Sequence, residues 1–384
     1  MSDEASRLVY RIGDEARSVQ GLRNGAFVVH GPRPVRPSEA FLIDSLPGKL
    51  GPRVLVSGSR EGLTAAALAA LSPANRVEDH HDDCHLAERA RKSLALNGLD
   101  ERARVHCSAD LPEVEGGHDA VILVFRRDGD SGLAADLIEQ SIRLLRRDGL
   151  LVAVVDAPRD RFLADRISRS IGGLTRVVDE GERGLMIVAR RPERISPYRP
   201  ARFPSYQVPV GAGSIAIRTR PGIFAGGRLD GGARALLAGL RIRPGDRVLD
   251  LGSGPGVLGI AAARLGAGSV LLADSSARAI ACCEENVAAN AGPATAPIEV
   301  RHSADLRGEL GAGSFDLVLA NPPYYSSHRI SEIFLQIAHE LLAPGGRLLL
   351  VTRQEEWHRQ RIGEMFRQPV ESRRGGYVVF EAER

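Results

Sequence analysis

Short apolar segments, each ending at a polar or turn-forming residue, recur through the C-terminal half of the chain. Four of them have the length and apolar content of buried β-strands: 247–251, 269–273, 298–302 and 315–320. A glycine-rich turn follows the first strand, and an apolar stretch at 257–265 after it is predicted to be a helix. This pattern predicts a doubly wound α/β fold, with a mostly parallel sheet, helices on both faces and a final antiparallel strand at 374–381.

The N-terminal half repeats the pattern at an interval of 193–197 residues. The matched segments keep their order along the chain: 53–62 with 247–256, 94–98 with 287–291, 108–110 with 303–305, 119–126 with 316–323, and 145–150 with 342–347. So many matches in one order predict two copies of one fold. We therefore expect two tandem Rossmann-like domains, at 1–192 and 206–384, joined by a proline- and arginine-rich linker at 193–205.

The turn after the first C-terminal strand combines an acid with closely spaced glycines. It contains, in order, Asp250, Gly252, Ser253, Gly254 and Gly256. Glycines let the backbone approach a ligand, and the helix that follows presents unpaired N–H groups. Dinucleotide-binding proteins use the different spacing Gly-x-Gly-x-x-Gly, on which a pyrophosphate sits. Because an acid disfavours a phosphate and suits a cation, the turn indicates S-adenosylmethionine, which has a sulfonium, an ammonium and no phosphate.

Two further acids follow the next two strands. Asp274 comes about twenty residues after the glycines, where a carboxylate can bind both ribose hydroxyls. The alternative is that Asp274 caps the next helix, a role that Ser275 or Ser276 can also fill. Asp305 follows the third strand and is a candidate acceptor for the adenine amino group, or else a surface turn residue. All these residues are predicted to meet at the carboxyl ends of the strands.

The fourth strand runs into Asn321, Pro322, Pro323 and Tyr324. The Asn321 side-chain oxygen and the Pro322 carbonyl can each accept a hydrogen bond. The prolines stiffen the loop, and Tyr324 supplies a flat ring. These parts suit a planar group that carries an NH2, such as a nucleobase, whereas the plainer interpretation is a tight turn. The sequence makes these four residues the candidate catalytic group.

Residues 247–352, on these motifs, resemble a class I S-adenosylmethionine-dependent methyltransferase of the small-domain type. The segment 215–232 carries Pro-Gly-x-Phe and then Leu-Asp-x-Gly, and it resembles the segment before the core in the ribosomal RNA small subunit methyltransferase C family. The resemblance extends to that family's large-subunit guanine-N2 relative. It implies methylation of a guanine N2 amine, in 16S rRNA for the first family, with ribosomal RNA or the small ribosomal subunit as partner.

Four residues are candidates for substrate binding: Phe224, Asp230, Tyr324 and Tyr325. Tyr324 is expected to stack on the base and Phe224 to close its other face, unless Phe224 is a core residue. Asp230 is expected to bind the base edge or to support the cofactor loop. The family usually has Phe and then His where this chain has Tyr324 and Tyr325. Tyrosine there is common in N6-adenine and glutamine-N5 enzymes.

That departure keeps alternatives open. N6-adenine methylation of RNA or DNA is the first, and methylation of a protein glutamine or a small molecule is the second. From another class, a non-catalytic RNA-binding or ribosome-assembly protein is the third, although the intact turn from Asp250 to Gly256 and Asn321 argue against it.

The first copy lacks the residues that carry chemistry in the second. Val56 replaces Asp250, Arg60 replaces Gly254 and Val124 replaces Asn321. Valine can neither balance a cation nor accept a hydrogen bond from an amine, and an arginine side chain fills a place where a ligand needs bare backbone. We expect the first copy to fold without binding cofactor. In the resembling family a degenerate first domain assists RNA binding or the stability of the chain.

Composition adds limits. The chain has 384 residues, a net charge of +3 and 43% hydrophobic residues, enough for two packed cores. The four cysteines lack metal-binding spacing and are expected to be thiols in a reducing compartment. The His and Asp residues at 79–85 are predicted to lie on a polar loop and the start of a helix rather than in a metal site. No signal peptide or membrane span is recognisable, so we expect a cytoplasmic protein. We also expect it to be a monomer that needs no metal.

Overall fold

The computed structural model describes residues 36–46, 50–72, 74–171, 183–195, 197–292, 295–323 and 328–384. It also describes the backbone of four strands, Arg7–Ile12, Glu15–Gln20, Val28–His30 and Thr175–Asp179. The chain divides into two compact units, Met1–Ala201 and Arg202–Arg384. Within the described ranges, every helix is too short or too polar to cross a membrane.

The first unit holds two sheets. The smaller has the order β2-β1-β3, from β1 (Arg7–Ile12), β2 (Glu15–Gln20) and β3 (Val28–His30). The larger is formed by β4 (Arg53–Ser57), β5 (Arg76–His81), β6 (Ala103–Cys107), β7 (His118–Phe125), β8 (Leu145–Val155), β9 (Thr175–Asp179) and β10 (Leu185–Arg190). The described helices are α1 (Pro37–Asp44), α2 (Leu63–Leu71), α3 (Cys84–Leu96), α4 (Ser131–Leu144) and α5 (Phe162–Ile171).

The second unit begins with a hairpin and continues as a second large sheet. The hairpin is β11 (Tyr206–Val210) and β12 (Gly213–Ile217). The sheet contains β13 (Arg247–Leu251), β14 (Ser269–Asp274), β15 (Ile298–His302), β16 (Phe315–Ala320), β17 (Leu342–Thr352), β18 (Arg367–Arg374) and β19 (Tyr377–Glu383). The described helices are α6 (Gly231–Gly239), α7 (Val257–Arg264), α8 (Ala277–Asn290), α9 (Arg329–Leu341) and α10 (Glu355–Met365).

The two large sheets have the same topology. Their strand orders are β6-β5-β4-β7-β8-β10-β9 and β15-β14-β13-β16-β17-β19-β18. In each, the first five strands in the order are parallel to one another. The sixth strand, β10 or β19, is antiparallel to both of its neighbours. An equivalent hydrogen bond links the two central strands in both copies. The Arg53 N–H donates to Asp119 Oδ2 at 2.7 Å, and the Arg247 N–H donates to Asp316 Oδ2 at 2.9 Å. The prediction of two tandem doubly wound domains is therefore confirmed.

The last strand of the chain begins later than predicted. Gly375 and Gly376 both have left-handed φ angles, 56° and 81°, and they turn the chain between β18 and β19. Because glycine adopts this conformation without a steric cost, the pair ends one strand and starts the next inside the segment predicted as one strand. The antiparallel neighbour of β17 is consequently Tyr377–Glu383.

Helices cover both faces of the second sheet, which explains why its central strands β13 and β16 are mainly apolar and buried. Val248 packs into the cluster that includes Leu236 of α6 and Ile260 of α7. The next residue, Leu249, points to the other face and packs with Leu335 of α9. The central strands β13 and β16 thus lie between two helical layers, and in open α/β sheets of this kind ligands bind outside the carboxyl ends of the strands.

Candidate active site

The glycine turn joins β13 to α7 in a conformation that requires glycine. Gly252, Gly254 and Gly256 have φ angles of 70°, 55° and 85°. A Cβ added at Gly254 would meet no atom within 4 Å, so open space adjoins the turn there. The N–H groups of Gly252 and Ser253 donate to the Ala273 carbonyl at 2.8 and 3.0 Å. The turn is thus held against the end of β14 while one side stays open.

Asp250 lies beneath this turn with 1% of its surface exposed. Its Oδ2 accepts a hydrogen bond from the Gly259 N–H of α7 at 2.8 Å. Burial is the main cause that raises the pKa of this carboxyl to about 7; the Gly259 bond lowers the pKa, and the nearby charge of Asp274 adds to the rise. A buried carboxylate that is costly to ionise favours a cation next to it.

Asp274, the last residue of β14, connects the turn to the next helix. One carboxylate oxygen accepts from the Gly254 N–H at 2.9 Å and the other from the Ser276 N–H at 2.8 Å. The cap of α8 is Ser276, whose hydroxyl accepts from the Ala279 N–H. The residue that caps α8 is therefore Ser276 and not Asp274. Asp274 lies at the edge of the glycine turn.

Asp305 lies in an exposed turn beyond β15. Its carboxylate forms a two-pronged ion pair with Arg307, with Nε–Oδ1 at 2.8 Å and Nη2–Oδ2 at 2.6 Å. Arg307 is also held by the side chain of Gln336 on α9, at 2.8 Å. The described structure therefore gives Asp305 a cationic partner of its own, and its predicted bond to adenine stays a prediction.

Asn321 directly follows β16 and contacts a second predicted residue. Its Nδ2 donates to Asp230 Oδ2 at 2.9 Å. The same oxygen of Asp230 accepts from the Ala233 N–H at 3.0 Å, which makes Asp230 the N-cap of α6. Asp230 and Asn321 are 91 residues apart in sequence. Tyr324 and Tyr325 lie outside the described residues.

Phe224 protrudes from the loop before α6 with 59% of its surface exposed, so it is not a core residue. The loop itself is supported from below by Phe203. A Cβ at Gly226 or Gly227 would lie 2.5 or 3.1 Å from the Phe203 ring. The Gly227 N–H also donates to the Thr219 hydroxyl at 2.7 Å. The loop that carries Phe224 is thus fixed by packing and by hydrogen bonds.

Two buried asparagines that sequence reasoning missed connect the segment before the core to the glycine turn. Asn286 on α8 accepts from the Arg218 N–H at 2.8 Å and donates to the carbonyls of Arg218 and Pro255, both at 2.9 Å. One turn later, Asn290 makes the equivalent pair of bonds with Ala216, at 2.9 and 2.8 Å. Asparagines four residues apart on an otherwise apolar helix face were the available signal.

The corresponding turn of the first unit is filled by a side chain from the same unit. Glu39 on α1 is fully buried and accepts from the Arg60 N–H at 3.2 Å. It also accepts from the hydroxyls of Ser59 and Thr64, at 2.8 and 3.2 Å. Burial raises the pKa of Glu39, although the charge of Arg36 and these hydrogen bonds lower it.

Arg60 aligns with Gly254, so the same backbone donor is bound by Asp274 in one unit and by Glu39 in the other. The strand register also puts His81 in the place of Asp274, and His81 bonds instead to buried Asp79, at 3.0 Å. Among the residues that the structure describes, no three His, Cys, Asp or Glu side chains are grouped to hold a metal ion.

Known proteins resemble the chain in both units. The sequence profile of the methyltransferase small domain family matches residues 214–381. Ribosomal RNA large subunit methyltransferase G from Pseudomonas aeruginosa (strain UCBPP-PA14) is 34% identical over 329 residues, which cover 82% of this chain and 83% of the relative. Its Streptomyces griseus counterpart is 33% identical, with 73% and 72% coverage.

A further relative and a solved structure match differently. Ribosomal RNA small subunit methyltransferase C from Pseudomonas aeruginosa (strain LESB58) is 37% identical, but over only 38% of this chain and 44% of the relative. Among solved structures, a T. thermophilus 16S rRNA N2 methyltransferase in complex with AdoMet and guanosine aligns over all of both chains, with a TM-score of 0.75 and 20% identity. That structural likeness shows the fold.

Proposed function

Because this chain belongs to the family of S-adenosylmethionine-dependent ribosomal RNA methyltransferases that includes large subunit methyltransferase G, we propose that it methylates the N2 amine of a guanine in ribosomal RNA. One observation carries the proposal. Leu251 and Ala320, the last residues of the parallel strands β13 and β16, pair with one another. The residues that follow them, Gly252 and Asn321, therefore leave the two strands side by side at the carboxyl edge of the sheet. A methyl donor and an acceptor amine can meet there.

The residues at this edge fit S-adenosylmethionine. Buried Asp250 suits its positive charge, the open space beside Gly254 admits it, and Asp274 lies at the edge of the turn, where we propose that it binds the ribose. The rest of the proposed cofactor-binding set is Asp305 and Asn321, with Gly252, Ser253 and Gly256 of the turn. S-adenosylmethionine supplies a methyl group on a positively charged sulfur, which makes that carbon electrophilic.

The chain's own part in catalysis is positioning. Asn321 Oδ1 and the Pro322 carbonyl accept hydrogen bonds from the target amine and hold its nitrogen in line with the methyl group. These oxygens also stabilise the positive charge that develops on the nitrogen. Pro323 stiffens the loop. The amine loses its proton to solvent after transfer, so no strong base is needed.

The rim of the site suits a base that has left its stack. Exposed Phe224 offers one face for stacking, and Tyr324 and Tyr325 are proposed to offer another. Arg353 is a charged residue at the same rim: it is exposed just beyond the carboxyl end of β17, and its guanidinium lies 4.4 Å from the centre of the Tyr377 ring. Turning a base out of its stack costs a few kcal/mol, and stacking on an aromatic side chain returns about 1–3 kcal/mol.

The choice of ribosomal subunit follows from coverage. The segment 215–232 led us to expect 16S rRNA, but it is compatible with both guanine-N2 families. In sequence, the large-subunit enzymes from Pseudomonas aeruginosa and Streptomyces griseus match more than two thirds of this chain, whereas small subunit methyltransferase C from Pseudomonas aeruginosa matches less than half of it. The 16S rRNA enzyme that aligns over both whole chains does so in fold, at 20% identity. We therefore favour large-subunit ribosomal RNA as the substrate. We propose that the protein acts on it in the cytoplasm.

The first unit is proposed to bind no cofactor and to support the chain or contact RNA. Two features support this. Glu39 accepts the hydrogen bond from the Arg60 N–H, and Val56 and Val124, at the positions of Asp250 and Asn321, have no polar side-chain atom. The whole protein is proposed to act as a monomer that needs no metal.

Mass spectrometry of nucleosides tests the proposed reaction. Large- and small-subunit ribosomal RNA are purified separately from a strain that lacks this protein and from the same strain complemented with the wild type or with Asn321→Ala. We expect N2-methylguanosine to be depleted in the large-subunit RNA and restored only by the wild type. Loss of N2-methylguanosine from the small-subunit RNA instead would make 16S rRNA the substrate. Loss of N6-methyladenosine would favour the adenine alternative. An unchanged nucleoside profile would overturn the proposal.

A further inference from the structure

The contact between Asp230 and Asn321 determines which end of the Asn321 amide faces the site. A carboxylate has oxygens that accept hydrogen bonds and no donor at neutral pH. The group that approaches Asp230 Oδ2 at 2.9 Å must therefore be the NH2 of Asn321. Because the amide is planar, its oxygen then points away from Asp230.

We propose that Asp230 is a positioning residue that presents the oxygen of Asn321, rather than its NH2, to the acceptor amine. This inference rests on the proposed function, in which Asn321 Oδ1 accepts a hydrogen bond from the target nitrogen. In the opposite orientation two NH2 groups would face one another, and neither can accept. The carboxylate removes that unproductive orientation before the substrate arrives.

Asp230 can impose this orientation because a second hydrogen bond and the packing of α6 hold it in place. The Ala233 N–H donates to the same Oδ2 at 3.0 Å, at the start of α6. The next residue, Gly231, is pressed against β19, because a Cβ at that position would lie 2.7 Å from the Tyr377 hydroxyl oxygen. That hydroxyl accepts from Arg353 Nη2 at 2.9 Å. The start of α6 is thus anchored by β19, and Asp230 cannot follow a rotating Asn321 amide.

Substitutions at Asp230 separate this role from helix capping. Serine caps a helix about as well as aspartate, but its side chain is too short to reach Asn321. With Asp230→Ser we expect kcat on ribosomal RNA from the deletion strain to fall about 10- to 100-fold. The KM for RNA, the Kd for S-adenosylmethionine and the Tm should change little. Asp130→Ser is the matched control, because Asp130 caps α4 of the first unit with an equivalent bond at 2.8 Å, and it should leave all four quantities unchanged.

A swap of the two side chains tests the contact itself. Asn321→Asp alone places two carboxylates against one another, so we expect a larger loss of kcat than with Asp230→Ser. The double variant Asp230→Asn/Asn321→Asp restores one donor and one acceptor with their roles exchanged, and asparagine still caps α6. Its second carboxylate oxygen can accept from the substrate amine. We expect the double variant to recover at least about tenfold of the kcat lost in Asn321→Asp, because the pair acts as a unit.

The outcomes distinguish this inference from the function on which it rests. If Asn321→Ala keeps the wild-type rate, the proposed role of Asn321 fails and the role of Asp230 fails with it. If Asn321→Ala is inactive while Asp230→Ser has the wild-type kcat, only the positioning role is overturned. Additive losses in Asp230→Ser/Asn321→Ala, or a swap no more active than Asn321→Asp, would also overturn it.

Discussion

Asp274 Oδ2 accepts a hydrogen bond from the Gly254 N–H at 2.9 Å. This bond joins the end of β14 to the middle of the glycine turn, so the candidate ribose-binding carboxylate also shapes the loop beside it. The other carboxylate oxygen accepts from the Ser276 N–H, which fixes the side chain at both oxygens. One residue therefore supports the shape of the turn and is also the residue that we propose binds the ribose.

Asp274→Ala is expected to weaken S-adenosylmethionine binding at least about 100-fold, because the loss of the carboxylate removes the ribose contact and the support of the turn together. Isothermal titration calorimetry on the wild type should give one site per chain. Asp83→Ala is the control: Asp83 follows the equivalent strand of the first unit, where we expect no site, and it should leave affinity and stoichiometry unchanged. Two sites per wild-type chain would contradict the inactive first unit.

Binding of S-adenosylmethionine should tighten as the pH rises towards neutrality. Burial raises the pKa of Asp250 to about 7, and a cationic ligand favours the ionised form, so binding releases a proton below that pH. Affinity should rise by up to about tenfold per pH unit between about pH 5.5 and pH 7. Asp250→Asn should bind more weakly with a flatter profile, which also corrects for titration of the ligand itself. Equal slopes for both proteins would rule out Asp250 as the titrating group.

The same pKa has the opposite consequence for the unliganded protein. Because the folded-state pKa lies above the ordinary value of 3.8, ionisation of Asp250 costs stability. The free energy of unfolding contributed by this group should fall as the pH rises from about 4 to about 7, and then level off. Asp250→Asn should remove this part of the pH dependence in urea unfolding.

Two helical glycines should respond oppositely to alanine. A Cβ at Gly259 would lie 2.1 Å from the Leu272 side chain, which is fully buried and cannot move aside. Gly259→Ala should therefore cost about 1–3 kcal/mol of unfolding free energy and weaken cofactor binding by displacing α7. Gly363 on α10 has open space around it, and Gly363→Ala should be neutral or stabilise by about 0.5–1 kcal/mol. Chemical denaturation measures the unfolding free energy of both variants. Equal stability of the two would contradict the tight packing of Gly259 against Leu272.

Glu39→Ala is expected to destabilise the first unit by about 2–4 kcal/mol, because it leaves the Arg60 N–H and two buried hydroxyls without their acceptor. Glu39→Gln keeps an acceptor of the same size and should lose less. Thermal unfolding measures both. Neither variant should change S-adenosylmethionine affinity, since Glu39 belongs to the unit that we expect to be inactive. A second binding site that appears in Glu39→Ala would mean that Glu39 alone blocks the first unit.

Phe224→Ala should raise the KM for ribosomal RNA about tenfold, as expected for the loss of one stacking contact, while the Kd for S-adenosylmethionine stays the same. Val370 is a suitable control, because it is similarly exposed, at 63% against 59%, and lies on the edge strand β18. Val370→Ala should leave KM unchanged. Equal effects of the two substitutions would show that Phe224 has no specific role in RNA binding.

Much of this architecture could be predicted from local pattern. Apolar segments followed by Gly252–Gly256, Asp274 and Asn321 predicted both the parallel sheet and the edge at which these residues lie, because successive parallel strands end at the same side. The interval between the two copies predicted the tandem fold. The turn between β18 and β19 was missed, since Gly375 and Gly376 interrupt a segment that otherwise looks like one strand.

The amino-acid sequence alone determined which candidate residues lie at the carboxyl ends of the strands in the second unit, because strand ends and left-handed glycines are set by neighbouring residues. Tertiary structure decided how side chains from distant segments are used. Only the folded chain brings Asp230 to Asn321 across 91 residues, and only it puts Glu39 on the Arg60 N–H. Such contacts depend on how the helices pack against the sheet. A hydrogen bond needs its donor and acceptor about 3 Å apart, and only this packing, not the local sequence pattern, determines that distance.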